Sequence, residues 1–282
     1  MKKIILLAML LNILACDNTT ESSQVDEHKQ NLTFNNAIEK LKSNHKEEGY
    51  QILITLANNG DMKAENELGR IYQFSVLGEK NCDKSKYWYE KSSNSNYSVA
   101  THNLAYVYMS NECPYNDIKL AKRILESNKD FAPSENLLGV IYIKGWDGKV
   151  NIEKGIQYLE MASNKNNLDA TNSLGLIYLK GLNGKKDFNK ALLYFEKGIS
   201  LGDSNSLFNL SSMYLIGNGV EKNEKYAFDL MEKSAQKNNP VAQFYLGEFY
   251  EKGEIVEMDK EKSNFWYRQS AEQGYAPALL RI

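Results

Sequence analysis

The chain has 282 residues, 42% of them hydrophobic and 25% charged, with a formal net charge of −2. That composition is ordinary for a folded protein with an ample core. With charge near balance and no basic block, a sequence-independent hold on nucleic acid is excluded.

The first residues read as a targeting device. Lys2 and Lys3 form a positive n-region, and Ile4 to Leu14 is apolar apart from Asn12. So short an apolar run cannot span about 30 Å of hydrocarbon, so residues 1–15 are expected to be a removable signal peptide. The run ends in Ile13-Leu14-Ala15-Cys16, which resembles the lipobox of bacterial lipoproteins, with Ile13 where leucine is commoner. That resemblance implies acylation of Cys16, which becomes the first mature residue. An ordinary signal peptide with an incidental cysteine is the alternative. Asp17 resembles the inner-membrane retention signal of enteric lipoproteins. The implied location is the periplasmic side of the inner membrane, with the outer membrane as the alternative. Residues 16–30 are polar and have little to bury, as expected of a tether.

Residues 31–60 predict a capping helix pair. Leu32 to Leu41 supplies one helix, and Gly49-Tyr50-Gln51-Ile52-Leu53 begins the face of a second. From residue 61 to the end one phrase recurs: a small residue, three variable positions, leucine, a small residue, two more positions, then tyrosine. The tyrosines are Tyr72, Tyr108, Tyr142, Tyr178, Tyr214 and Tyr250, spaced by 36 residues except for one step of 34. Such self-similarity marks an all-α solenoid of helix-turn-helix units, each burying its apolar face only against its neighbours. Six repeats are expected at about 64–96, 100–130, 134–166, 170–202, 206–238 and 242–274, followed by a stub.

Within each unit, the tyrosine helix is helix A. A small residue thirteen positions past the tyrosine, followed by a bulky pair such as Trp88-Tyr89 or Tyr194-Phe195, marks helix B. The residue after the helix A leucine is always small (Gly69, Ala105, Gly139, Gly175, Ser211, Gly247), so the two helices should cross there. The tyrosine one turn on is expected to fill the gap beside the crossing. Gly60, Asn96, Asp130, Asn166, Gly202, Asn238 and Gly274 should supply the left-handed turn after helix B. The 34-residue step places a shortened helix B in repeat 2.

Cys82 and Cys113 lie in the loops after two consecutive repeat tyrosines. Their spacing leaves both a disulfide and two independent thiols open.

The phrase A-x3-LG-x-(I/V)Y, a glycine loop and a small residue before an aromatic pair resemble the Sel-like repeat (SLR), a longer relative of the tetratricopeptide repeat. Repeat 2 departs most, with Ala105, the Cys113-Pro114 loop and a plain Ile124-Leu125. The resemblance implies a right-handed superhelix whose groove is lined by helix A, and an adaptor without a catalytic motif. By the same analogy the partner-binding groove comprises Tyr106, Met109, Val140, Ile143, Leu176, Leu179, Phe208, Leu215 and Phe244. Packing of these residues against the next helix A is the competing reading.

No catalytic, metal or cofactor site is legible. His28, His45 and His102 lack ligating partners at metal spacing. Glu248 and Glu251, three apart on helix A, read as a solvated or partner-facing pair rather than an acid–base dyad. The expected function is a non-catalytic, periplasm-facing lipoprotein that binds a protein partner. Lipidated SLR proteins resemble immunity proteins, which makes an antibacterial effector such as a lipase the specific expectation. An envelope-maintenance adaptor, or a cell-wall-related small-ligand binder or enzyme, is the alternative.

Overall fold

The computed structural model describes residues 32–78 and 80–282, so the signal peptide, Cys16 and the whole tether lie outside the described residues. Among the described residues there are helices and no strand. The chain forms two units, the first ending at Asn128 and the second beginning at Lys129.

The first unit carries α1 (Phe34–Lys42), α2 (Lys46–Asn58), α3 (Met62–Gln73), α4 (Cys82–Asn94), α5 (Ser98–Met109) and α6 (Ile118–Ser127). Four of these six helix starts are set by side chains that accept orphan amides: Thr33 from Asn36, Asp61 from Lys63 and Ala64, Asn81 from Lys84, Asp117 from Leu120. Each such cap contributes about 1 kcal/mol. Gly49 lets α2 press on α1, because a Cβ there would lie 2.7 Å from the Ala37 carbonyl oxygen. Ala37, Leu41, Leu53, Ala64, Leu68 and Ile71 form one buried cluster, and Tyr89, Ala100, Leu104, Val107 and Cys113 another. Cys82 and Cys113 are joined in a disulfide, their Cα atoms 5.7 Å apart. Helix α6 has 10 residues where most second helices have 13. Asp130 is the exception to the left-handed turns: Gly60, Asn96, Asn166, Gly202, Asn238 and Gly274 have positive φ and it does not. The early end of α6, capped at Asn128, shifts the reversal away from that position.

The second unit carries α7 (Ala132–Lys144), α8 (Ile152–Asn164), α9 (Leu168–Lys180), α10 (Phe188–Ser200), α11 (Ser204–Ile216), α12 (Glu224–Gln236), α13 (Pro240–Lys252), α14 (Lys260–Glu272) and the single turn α15 (Ala276–Leu279). Helices α7, α9, α11 and α13 are the tyrosine helices of this unit, as α3 and α5 are of the first. Gly145, Gly181, Gly217 and Gly253 end four of them in the left-handed conformation.

Each of the six repeat hairpins is closed by the same main-chain bond. The amide of the residue capping helix B donates to the carbonyl of the repeat tyrosine: Asn81 to Tyr72, Asp117 to Tyr108, Asn151 to Tyr142, Asp187 to Tyr178, Asn223 to Tyr214 and Asp259 to Tyr250, at 2.8–3.0 Å.

The helices cross at the small residues. A Cβ on Gly175 would stand 2.4 Å from Phe195, one on Gly69 2.6 Å from Tyr89, and one on Gly247 2.8 Å from Tyr267. These partners are the second members of the bulky pairs on helix B. The close approach itself is filled from helix B, and the repeat tyrosine packs beside it, buried at Tyr142 and Tyr178. The tyrosine lies one turn on and meets the middle of helix B, Tyr142 stacking on Tyr158 and Tyr178 on Tyr194. Lys154 and Lys190 lie over those same tyrosine rings at 4.6 and 4.7 Å.

Candidate partner-binding face

Within the second unit, helical phase separates each tyrosine helix into two sides. Leu138 and Ile141 on α7, Leu174 and Ile177 on α9, and Leu210 and Met213 on α11 are buried in the core. One to three positions away, Val140, Ile143, Leu176, Leu179, Phe208, Leu215 and Phe244 stay partly exposed, forming an apolar stripe along successive tyrosine helices. Ile143, Leu176 and Leu179 also lean on the core, and Phe208 packs against the cluster around Met231. These side chains are packed on one side and open on the other.

The stripe has distinct borders. Lys144 and Lys180, four residues after Val140 and Leu176, are exposed, and in the next hairpin that position is Ile216, 69% exposed. On the other side lie Asn136 and Asn172, and Asn172 accepts from the Asn209 amide of the next tyrosine helix at 2.7 Å. At the far end, Leu215, Tyr245, Glu248, Phe249, Lys252 and Ile255 line a cavity of about 490 Å3. Tyr245, 38% exposed with its ring 5.8 Å from Phe208, was not foreseen as part of this face. It sits one residue beyond a stripe position, and only its exposure reveals it.

Phe244 is the least available stripe residue. Its ring meets Tyr245, Tyr267 and Tyr275 within 5.6 Å. Glu248 and Glu251 are engaged structurally: Arg281, just beyond α15, lies 3.5 and 3.4 Å from them, and Tyr267 donates to Glu251 at 2.7 Å. Burial first, then that hydrogen bond, raises the Tyr267 phenol well above its usual value.

In the first unit, Tyr106 is 44% exposed and Met109 partly exposed, both on α5. His102 lies edge-on to Tyr106 at 5.0 Å, and burial lowers its imidazole to a pKa of about 4. The corresponding positions of α3 are polar and occupied. Arg70 donates through Nε to both Glu67 oxygens at 2.9 Å, and Gln73 accepts from the Tyr89 hydroxyl at 2.7 Å.

Among the described residues no group of three His, Cys, Asp or Glu side chains could hold a metal, and no helix is long and apolar enough to cross a membrane.

The Sel1 repeat family matches residues 63–97, 132–167, 168–203, 204–239 and 240–275, more than half of the chain. Residues 98–131, which hold Cys113 and the short α6, fall outside those matches. A crystal structure of a protective antigen from uropathogenic Escherichia coli strains, displaying an SLR fold, is 27% identical with a TM-score of 0.65. The alignment covers 82% of this chain and 50% of the antigen, so the chain spans half of that protein's length. A Sel1 repeat protein from Oxalobacter formigenes is 22% identical with a TM-score of 0.74, covering 86% of this chain and all of that one. An immunity protein from Pseudomonas aeruginosa is 18% identical with a TM-score of 0.55, covering 78% of this chain and 84% of that one. Among curated proteins no match to the chain is found. The architecture is that of an all-α repeat solenoid built from crossed helix pairs. The chain belongs to the Sel1 repeat family.

Proposed function

We propose that this chain is a non-catalytic binding protein whose tyrosine helices present the partner surface. The observation that carries the reading is the partly exposed stripe Val140, Ile143, Leu176, Leu179 and Leu215, placed in register on three successive tyrosine helices. Contiguous apolar surface of this kind marks interaction sites on soluble domains. The lipobox-like Leu14-Ala15-Cys16 adds a lipid anchor at Cys16 and a periplasm-facing location, and tethering raises the local concentration of the bound pair. In its specific form the protein is an immunity protein that occludes the active-site mouth of an antibacterial effector such as a membrane-attacking lipase. The fold likeness to the Pseudomonas aeruginosa immunity protein is what recommends that form over an envelope-maintenance adaptor. The cavity beside Tyr245 and Lys252 supports a second reading, a small-ligand site.

Pull-down with the wild-type protein and with Leu176→Glu/Leu179→Glu tests the first reading, with circular dichroism to show that both are folded. A partner captured equally by both proteins refutes the stripe as the binding face. Intact-mass analysis of the mature protein tests the anchor: an unacylated terminus removes it.

A further inference from the structure

We propose that the stripe of the second unit takes an amphipathic helix with acidic residues along one flank. This rests on the reading of the stripe as the partner face. Val140, Ile143, Leu176, Leu179 and Leu215 offer only hydrocarbon. An extended segment laid across them would leave its amides and carbonyls without partners, whereas a helix satisfies its own internally. Side chains one heptad apart on such a helix are separated by about 10.5 Å, so an occupant of three heptads is long enough to reach more than one tyrosine helix.

The borders choose the charge. Lys144 and Lys180 occupy the same register on α7 and α9, are exposed, and make no ion pair among the described residues. Some other lysines of this unit are answered, Lys165 by Glu135, Lys222 by Glu224 and Lys262 by Asp259, and among the unanswered ones Lys144 and Lys180 are those that flank the stripe. The opposite border carries the neutral Asn136 and Asn172. Two unanswered positive charges along one edge of an apolar track select a negative flank on whatever lies in it.

The probe is a pair of fluorescent helical peptides of about 21 residues, three heptads long. Both have leucines along one face, and one flank carries glutamate in the first peptide and lysine in the second. Titration against the full chain should favour the glutamate peptide by about tenfold at low salt, the preference shrinking at about 0.5 M salt. Lys144→Glu/Lys180→Glu, both at exposed positions, should reverse the preference while leaving the circular dichroism spectrum unchanged. Equal affinity for both peptides, lost in Leu176→Glu/Leu179→Glu, overturns the charge selection and leaves the binding face standing. Binding of either peptide that survives Leu176→Glu/Leu179→Glu overturns the face itself. Failure of both peptides to bind overturns the helical occupant.

Discussion

Gly175→Ala puts one methyl group where the helices of the fourth repeat cross. The added carbon would stand 2.4, 2.7 and 2.9 Å from Cε1, Cδ1 and Cζ of Phe195, against about 3.5–4.0 Å for an ordinary carbon–carbon contact. Phe195 is fully buried in the cluster with Leu174, Ile177 and Ala191, so its ring cannot swing away, and the helices must part by roughly 1 Å. Overpacking of this kind costs about 1–3 kcal/mol. Replacing a helical glycine by alanine returns at most about 1 kcal/mol of propensity. The net expectation is a loss of about 1–2 kcal/mol, read as a lower urea midpoint by circular dichroism and a fall of roughly 2–8 °C in Tm. A compensating change is already present in the chain: repeat 2 combines Ala105 with Leu125, both fully buried. Gly175→Ala/Phe195→Leu should therefore cost less than the sum of its single variants, a coupling between touching residues. A single variant as stable as the parent, or strict additivity in the double variant, would refute the close approach as the reason for glycine here.

Three further outcomes follow from the same structure. Cys82→Ala/Cys113→Ala, or reduction of the parent, should lower the stability of the first unit by about 2–4 kcal/mol, since the bridge closes a loop of 31 residues; an unchanged urea midpoint would contradict this. Folded His102 takes up its proton only near pH 4, whereas the unfolded imidazole does so near 6.5. In that window the unfolded chain binds more protons, so stability falls as pH drops from 6.5 to 4, by an amount on the order of 2 kcal/mol, and His102→Gln should flatten this part of the pH profile in urea unfolding. Glu135 is 0% exposed and is met by Lys165, 40% exposed, at 2.7 Å. Lys165→Met should destabilise by about 1–3 kcal/mol, with much of the loss restored by adding Glu135→Gln, as measured by denaturant midpoints.

The fold was largely readable because its determinants recur at fixed spacing. The leucine, the small residue and the tyrosine report backbone crossings that every unit must make, so repetition amplifies a weak local signal. What fills the close approach itself is not legible from helix A alone: Gly175 and Tyr178 share a helix, and only the partner helix can supply the ring of Phe195. The Cys82–Cys113 bridge was open because a pairing depends on where two irregular loops bring their Cα atoms, which spacing does not encode. The buried Glu135–Lys165 pair was invisible for the opposite reason. The position of Glu135 is occupied by Glu65, Thr101, Thr171, Leu207 and Gln243 elsewhere, so each unit solves that junction separately and no period reveals it. Candidate face residues follow from the analogy to tetratricopeptide geometry, whereas the unpaired state of Lys144 and Lys180 depends on the three-dimensional arrangement.

The bond from the capping amide of helix B to the carbonyl of the repeat tyrosine involves no side chain at all. A hairpin held shut in this way is indifferent to what its loop displays. Trp146, Leu182 and Lys185 can be exchanged with little consequence for folding, which leaves that edge of the molecule free to drift toward new surfaces while the helices beneath it stay in place.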